Sequence, residues 1–289
     1  MIEMYPVVLL KPRVGHIQFL NCLPLYYGLV KSHALLDVEL IKGTPTELNN
    51  LLIGGSLDMS PISSIEYARH HGSLVLFPDF TVSSDGEVKS ILLLSRFPLR
   101  ELKGKRVALT STSSTSQVLL KLILNRRYGV QPEYIICRPD LDSMLSVADA
   151  ALLIGDIALR YYLDAKDFYL YDLGIEWKKL TGKKMVYAVW GVKRGFAEAQ
   201  AETAEHVFNI FKKSMDYSVQ NLSEIAEYAA KWESFSSSFL MDYFRALRFD
   251  FGKEYQEGLV HFYRLASEIG EIERVPDLEF MNLGSGVNR

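Results

Sequence analysis

Hydroxyl and amide side chains follow three predicted strands, at points where a helix then begins. Asn21 follows the apolar residues 7–10 and 14–17, Ser63 and Ser64 adjoin the strand predicted at 57–62, and a Ser/Thr tract at 110–116 follows residues 106–109. Ligands of open α/β sheets bind at the carboxyl ends of strands. The first N–H groups of a helix also attract anions. The sequence therefore predicts one site for an anionic ligand, formed by these three junctions.

The first two junctions each have two interpretations. Asn21 is a suitable N-cap for a helix that has Pro24 in its first turn, or its amide contacts the ligand. Ser63, Ser64 and Glu66 form the pattern of a capping box. In that case one serine caps the helix and the other is available for the ligand.

The Ser/Thr tract is the strongest candidate for binding a carboxylate. It combines several hydroxyls with the N–H groups at the start of a helix predicted at 117–127. Hydrogen bonds to a charged group contribute roughly 1.5–3 kcal/mol each, whereas the helix terminus adds only about 0.3–1 kcal/mol. The alternative is that the tract only caps the helix.

Two titratable residues lie near the predicted junctions. His16 is either a core histidine with satisfied hydrogen bonds or a general base or donor. Asp156 follows an apolar strand and Gly155, and its charge would repel an anion, so we interpret it as a structural residue or as one that holds a donor. No Ser-His-Asp order, Walker loop or obvious acid/base pair is found in the sequence.

Composition limits the classes of function. The 289 residues are 48% apolar and 23% charged, with a net charge of −3, so nothing indicates a surface for nucleic acid. The two cysteines are not in a CxxC pair, which predicts reduced, buried thiols and no metal site. Residues 1–6 lack a basic leader, and no apolar run approaches the ~20 residues that a membrane span needs. We expect a cytoplasmic protein without membrane contact, whose oligomeric state is unknown.

Alternating strand and helix signals predict two α/β lobes. A short polar helix and Gly104-Lys105 start a second series of units, and a strand ending near Val192 returns the chain to the first. We therefore predict a discontinuous first lobe of residues 1–94 plus 193–289 and a second lobe of residues 95–192. The C-terminal helices should pack on the first lobe, with a ligand cleft between the lobes.

Several motifs resemble known proteins. The segment at 103–107, before the Ser/Thr tract, resembles the second lobe of type 2 periplasmic-binding-protein folds. From about Val14 to Trp190 the chain resembles the chorismate dehydratases of menaquinone biosynthesis, which act in the futalosine route. It departs from that family at Lys183-Lys184-Met185, where an apolar-Pro-aromatic triplet is usual. The motifs that carry the resemblance are Asn21-Cys22-Leu23-Pro24-Leu25, Pro61-Ile62-Ser63-Ser64-Ile65-Glu66-Tyr67-Ala68, Thr112-Ser113-Ser114-Thr115-Ser116, Ile154-Gly155-Asp156 and Tyr171-Asp172-Leu173-Gly174-Ile175-Glu176-Trp177.

The resemblance implies that chorismate loses water to give 3-[(1-carboxyvinyl)oxy]benzoate, with no metal or organic cofactor. It also implies that a serine at the strand of Ser90 faces the substrate. The alternative for Ser90 is a hydroxyl at the hinge that is bonded to the backbone. The base is either a side chain such as His16 or the enolpyruvyl carboxylate of the substrate itself. We assign catalytic roles to Asn21, Ser90 and His16, and substrate binding to Ser63, Ser64, Ser113, Ser114, Thr115, Ser116, Gly155 and Asp156.

Two other functions are compatible with the same residues. The chain could be a non-catalytic binding protein for a small anionic ligand. It could also be another menaquinone-pathway enzyme of the same fold, acting on a later cyclic intermediate. Fold alone does not separate an enzyme from a binding protein.

Overall fold

A computed structural model describes residues 11–284, so the predicted strand at 7–10 and the residues 1–6 lie outside the described part. Two sheets organise the chain. The first has the order β11-β4-β10-β3-β1-β2 and the second β7-β6-β8-β5-β9. The strands are β1 (Arg13–Ile17), β2 (Glu39–Gly43), β3 (Met59–Ser63), β4 (Leu74–Ser84), β5 (Ile91–Ser95), β6 (Arg106–Thr110), β7 (Glu133–Cys137), β8 (Ala150–Ile154), β9 (Tyr169–Asp172), β10 (Met185–Lys193) and β11 (Leu247–Arg248).

Helices connect the parallel strands and cover the sheets. β1 pairs in parallel with β2 and β3, and β6 pairs in parallel with β7 and β8, as strands joined by helical crossovers do. A 3₁₀ turn at Leu20–Cys22 leads from β1 into the first helix. The helices are α1 (Leu23–Lys31), α2 (Pro45–Ile53), α3 (Ser64–His70), α4 (Ser114–Tyr128), α5 (Leu141–Val147), α6 (Gly155–Leu163), α7 (Leu173–Thr181), α8 (Arg194–Ala199), α9 (Ala201–Gln220), α10 (Leu222–Ala229), α11 (Ser237–Ala246) and α12 (Lys253–Glu268).

The largest aromatic cluster lies between the first sheet and α9. Trp190 of β10 stacks on Phe77 of β4, and Phe208 and Phe211 of α9 meet these two rings edge-on. The buried residues of α9 recur at helical spacing, which produces one apolar face. Each such side chain contributes about 1.5–3 kcal/mol when it is fully buried. This cluster fixes the C-terminal helices on the first lobe, as predicted.

The lobes begin and end at other residues than the sequence indicates. The predicted boundaries assign β5 to the first lobe and β10 to the second. The sheets show the reverse, because β5 pairs with β8 and β9 while β10 pairs with β3 and β4. The chain therefore crosses between lobes at residues 85–90 and 182–184. Both strands are almost wholly buried, and a buried apolar run does not indicate which sheet it joins.

The second crossing includes the segment in which the sequence departs from its family. The indole Nε1–H of Trp177 donates to the carbonyl oxygen of Lys184 at 3.1 Å. The Lys184 ammonium also pairs with Glu254 of α12 at 2.6 Å. The crossing is thus held by one residue from each lobe.

Candidate functional site

A cavity between the two sheets holds most of the predicted site residues. It encloses about 550 Å³, counting the space at its mouth. Strand ends and helix starts from both lobes form its wall, as in other ligand sites between lobes. Six of the eleven predicted residues line it, namely Asn21, Ser63, Ser90, Ser113, Ser116 and Gly155.

Four helices begin at the wall of this substrate-sized cavity. Pro45 is the first residue of α2, Ser63 is the N-cap of α3, Ser113 is the N-cap of α4 and Gly155 is the first residue of α6. Helix N-termini carry partial positive charge and point N–H groups outward. The cavity therefore favours an anion even though none of its described lining residues is lysine or arginine.

The last four residues of the Ser/Thr tract, 113–116, divide into two pairs. Ser113 and Ser116 line the cavity, and their hydroxyls are 2.9 Å apart. The Ser113 Oγ also accepts the Ser116 N–H at 3.4 Å. Ser114 and Thr115 do not line the cavity, because the first and fourth positions of a helical turn share a face and the two between them do not. The helix also begins three residues earlier than predicted.

Thr115 and Ser64 join the two lobes instead of facing the cavity. The Thr115 Oγ1 accepts the Ile65 N–H at 3.2 Å and lies 3.3 Å from the Ser64 Oγ. Ser64 also donates to the carbonyl oxygen of Val186 at 2.9 Å. A threonine of the second lobe thus satisfies the N-terminus of α3 in the first.

The predicted capping box at α3 is wrong. The side chain of Ser63 accepts no bond from the helix. Its hydroxyl and its backbone N–H are both bonded to the amide of Asn49, at 3.3 and 3.1 Å. Glu66 pairs with Arg69 instead. Because the Thr115 hydroxyl caps α3 from outside, Ser63 is left at the cavity wall.

Asn21 is not the N-cap of α1. It lies inside the 3₁₀ turn, Cys22 is the N-cap, and Pro24 is the second residue of the helix. The Asn21 Oδ1 is buried and has no hydrogen-bond partner among residues 11–284. Buried polar atoms are nearly always paired, so this oxygen is an acceptor that a ligand in the cavity can use.

Ser90 lies at the end of the first crossing, and the two residues before it are held by Asp172, which is not among the predicted site residues. The Asp172 carboxylate accepts the N–H groups of Val88 at 3.0 Å and Lys89 at 2.7 Å, and it also caps α7. Burial raises the pKa of Asp172 to about 6 despite these bonds. Lys89 has a positive φ of 60°, which is strained for a residue with a side chain. An aspartate before an apolar helical run was the signal that could have identified this cap.

Gly155 and Asp156 fix the loop that carries Phe19. Gly155 has φ +65°, and a Cβ there would lie 3.1 Å from the Phe19 ring. The Oδ1 of Asp156 accepts the Leu20 N–H across the lobes at 3.0 Å, and burial raises the pKa of Asp156 to about 6. Asp156 therefore holds a backbone donor, the N–H of Leu20, which is one of the two roles that the sequence predicted for it. It does not line the cavity.

His16 does not reach the cavity. It precedes Ile17 in β1, so the two side chains leave opposite faces of the strand. Its ring packs edge-on against Tyr26, with centroids 3.8 Å apart, and it lines a second cavity together with Asp156, Trp232 and others. Its Nδ1 is buried without a partner among the described residues, and burial lowers its pKa to about 4. His16 thus lies apart from the cavity that holds the other two predicted catalytic residues, Asn21 and Ser90.

No described residue that lines the first cavity is Asp, Glu or His. Its one titratable residue is Tyr187, whose hydroxyl bonds Ser84 at 2.9 Å and whose pKa burial raises well above the ordinary value. The cavity thus offers hydrogen-bond donors and acceptors but no proton acceptor of ordinary basicity. Sequence alone did not reveal Tyr187 as a lining residue, because a buried strand tyrosine is usually part of the core.

Other predicted features concern metals, membranes and thiols. Among residues 11–284 no three His, Cys, Asp or Glu side chains are grouped so that they could hold a metal ion. None of the helices described here is both long and apolar enough to cross a membrane. Cys22 is a free thiol whose pKa burial raises to about 12, and Cys137 is free but only half-buried, not buried as predicted.

The fold and cavity define a two-lobed α/β protein of periplasmic-binding-protein type. A protein of Archaeoglobus fulgidus matches with a TM-score of 0.75, 18% identity and coverage of 91% of this chain and 98% of that one. A Candida albicans protein described as having the generic periplasmic-binding-protein fold matches with a TM-score of 0.69 and 12% identity. The match covers 96% of this chain and 99% of that one. The alkanesulfonate-binding protein of Xanthomonas axonopodis matches with a TM-score of 0.67 and 15% identity. The match covers 94% of this chain and 96% of that one. The predicted fold class is confirmed.

Sequence comparison places the chain more narrowly. Residues 12–268 match the family described as menaquinone biosynthesis, and the chain belongs to that family. A chorismate dehydratase of Thermus thermophilus is 36% identical over 60% of this chain and 69% of its own length. A second one, from Campylobacter jejuni, is 28% identical over 60% of this chain and 64% of its own. The family predicted from the motifs is confirmed.

Proposed function

We propose that this protein is a chorismate dehydratase, a carbon–oxygen lyase that removes water from chorismate to give 3-[(1-carboxyvinyl)oxy]benzoate. Its relatives carry that enzyme name and it belongs to their family. The observation that carries the proposal is a cavity with four helix N-termini and several hydroxyls but no carboxylate or imidazole among its described lining residues. Such a wall suits a substrate with two carboxylates.

The donors at α4 suit the ring carboxylate of chorismate. Ser113 and Ser116 present two hydroxyls beside the start of the helix. When the C3 proton leaves, negative charge spreads through the ring diene into this carboxylate. Donors that are already in position stabilise such developing charge. The Asn21 amide and the Ser90 hydroxyl remain for the C4 hydroxyl and the enolpyruvyl group.

The cavity favours the substrate's own enolpyruvyl carboxylate as the base. It takes the proton from C3, and the electrons of that bond delocalise into the ring. The C4–O bond then breaks as the ring becomes aromatic, and the departing hydroxide takes the proton back from the enolpyruvyl carboxylic acid and leaves as water. No lining side chain in the described part of the protein has the basicity for the first step, and His16 is turned away from it.

Incubation of the purified protein with chorismate tests the proposal. We expect the ultraviolet spectrum of an aromatic product, identified by mass as chorismate minus water. Binding of chorismate without product would indicate a non-catalytic binding protein. Neither binding nor product would indicate an enzyme that acts on another intermediate.

A substrate analogue tests the identity of the base. A chorismate analogue that lacks the enolpyruvyl carboxylate should bind but not eliminate water. The pH profile of kcat/KM should be flat from about pH 6 to 8, because no lining group titrates there. Normal turnover of the truncated analogue would contradict a substrate-derived base.

A further inference from the structure

Asn49 of α2 is a buried polar residue that contacts the cavity wall without being part of it. Its side chain is 2% exposed, and it does not line the cavity. Both ends of its amide bond the same residue, Ser63, which does line the cavity. Asn49 thus connects a residue outside the site to a hydroxyl inside it.

The two bonds determine which end of the amide meets which atom of Ser63. The backbone N–H of Ser63 can only donate, so its partner at 3.1 Å is the Oδ1 of Asn49. The other end of the amide is then Nδ2, which carries two hydrogens and accepts none. At 3.3 Å this Nδ2 donates to the Ser63 Oγ. Towards Asn49, the Ser63 hydroxyl is therefore an acceptor.

This arrangement leaves the hydroxyl proton of Ser63 for the cavity. Among residues 11–284 the Ser63 Oγ has one hydrogen bond, which is the one that it accepts from Asn49. The hydroxyl is also not used as a cap of α3, because Thr115 bonds the N–H of Ile65. A serine hydroxyl has a single proton to donate, and a hydroxyl that accepts one hydrogen bond donates a stronger one. Ser63 is thus prepared to donate to an acceptor in the cavity.

We propose that Asn49 is a positioning residue, which bonds Ser63 so that the Ser63 hydroxyl donates to a carboxylate of the substrate. This inference rests on the proposed function, which supplies the carboxylate. It gives a role in the site to a residue of α2 that lies outside every motif that carries the family resemblance. Hydrogen bonds to a charged group are about twice as strong as neutral ones, so the direction of this one proton affects how well the substrate is held.

Asn49→Asp tests the direction of the bond. Aspartate has the same shape, and one of its oxygens still accepts the Ser63 N–H. As a carboxylate it has no donor, so the Ser63 hydroxyl donates to it and is withdrawn from the substrate. As a carboxylic acid, which burial favours, it has an O–H that replaces the amide N–H. We expect kcat/KM for chorismate to be about thirty-fold below wild type at pH 8 and within about three-fold of it at pH 5. Asn50→Asp, exposed on the same helix, is the matched control and should equal wild type at both pH values.

A double-mutant cycle with Ser63→Ala separates this role from charge repulsion. Ser63→Ala alone should lower kcat/KM about thirty-fold. Adding Asn49→Asp to it should lower kcat/KM by no more than about three-fold more at either pH, because the two residues act as a unit. A carboxylate that only repels the substrate would be as harmful without the hydroxyl as with it. Equal losses in the two backgrounds would therefore overturn the proposal.

Asn49→Leu keeps the test decisive if the aspartate variant does not fold or keeps its proton at pH 8. Leucine is of similar size and neither donates nor accepts, so kcat/KM should fall about ten-fold at both pH values. Tm should also fall, because the Ser63 N–H loses its partner. Tyr67→Phe is the control for lost stability: it removes two bonds of a buried hydroxyl away from the cavity, and it should lower Tm without changing kcat/KM. A folded Asn49→Leu enzyme with the kcat/KM of wild type contradicts this inference alone. A wild-type protein that does not convert chorismate contradicts the proposed function, and this inference fails with it.

Discussion

Two cavities meet at Phe19, and their walls differ in chemistry. Ile17 and Phe19 border both. The polar groups in the wall of the first cavity are hydroxyls, one amide and helix N-termini, and the rest of the wall is largely apolar. The second contains His16, Asp156 and Glu233, and beside them the indole of Trp232, which is 76% exposed. The imidazole and the carboxylates are thus on one side of the Phe19 loop, and the proposed reaction is on the other.

This difference shows that a shifted pKa can mark a contact between lobes instead of a reaction. Perturbed pKa values are usually a guide to active sites. Here burial shifts the pKa of both His16 and Asp156, and Asp156 holds the Leu20 N–H of the opposite lobe. The first cavity has the better claim to catalysis because the proposed substrate carries its own base.

A charge placed in the first cavity should have the largest effect. Asn21→Asp puts a carboxylate where the unpaired Oδ1 now lies, and it should repel a dianion. We expect kcat/KM for chorismate to fall about 10³-fold, near the upper end for loss of one aligned donor. Asn50→Asp, on the exposed side of α2, is the matched control and should behave like wild type. An active Asn21→Asp enzyme would exclude this cavity as the site.

Substitutions in the two pairs of the Ser/Thr tract should lower kcat/KM to different extents, and the largest loss should be smaller than for Asn21→Asp. Ser116→Ala removes a hydroxyl at the wall and should lower kcat/KM about 10²-fold. Ser114→Ala, two residues away and outside the cavity, should change it by no more than about two-fold. Steady-state kinetics on both variants measures the contrast. Equal losses would mean that the tract acts only through the stability of α4.

The sequence predicted correctly which strand–helix junctions form the cavity, but less well which side chains of those junctions face it. α2 begins with a capping box, since Thr44 and Glu47 bond each other's backbone N–H. The similar pattern at Ser63 does not cap α3, because Thr115 approaches from 50 residues further along the chain. Local spacing predicts local bonds, but it carries no information on a partner that only the tertiary fold supplies. The exchange of β5 and β10 between lobes has the same origin.

Gly155 tests how closely the Phe19 loop must fit. Gly155→Ala adds a Cβ at 3.1 Å from the Phe19 ring, in a backbone with φ +65°. Gly104→Ala is the control, because φ there is +72° and nothing lies within 4 Å of the added atom. Both should lose about 1–2 kcal/mol of stability from backbone strain. Only Gly155→Ala should also lower kcat/KM, by about ten-fold, since a displaced Phe19 opens one cavity to the other.

Substitutions in the second cavity should change the pH dependence of stability more than they change turnover. His16→Gln should keep kcat/KM within about three-fold of wild type, because the ring lies outside the first cavity. Loss of turnover without loss of Tm would return the role of base to the imidazole. The stabilities of His16→Gln and Asp156→Asn are best compared by urea unfolding between pH 4 and 8.

The two groups should titrate in opposite senses. His16 has a pKa of about 4 in the fold against 6.5 as its ordinary value, so its contribution is present above pH 6.5 and is lost as the pH falls towards 4. Asp156 has a pKa of about 6 against 3.8, so its contribution is present below pH 3.8 and is lost as the pH rises through 6. In the wild type the two contributions to the free energy of unfolding partly cancel as the pH changes.

Asp156→Asn keeps an acceptor for the Leu20 N–H. It should be more stable than wild type at pH 7 and should lose stability more steeply towards pH 4. His16→Gln should lose less stability than wild type on acidification, and identical pH profiles for the two variants would contradict both assignments.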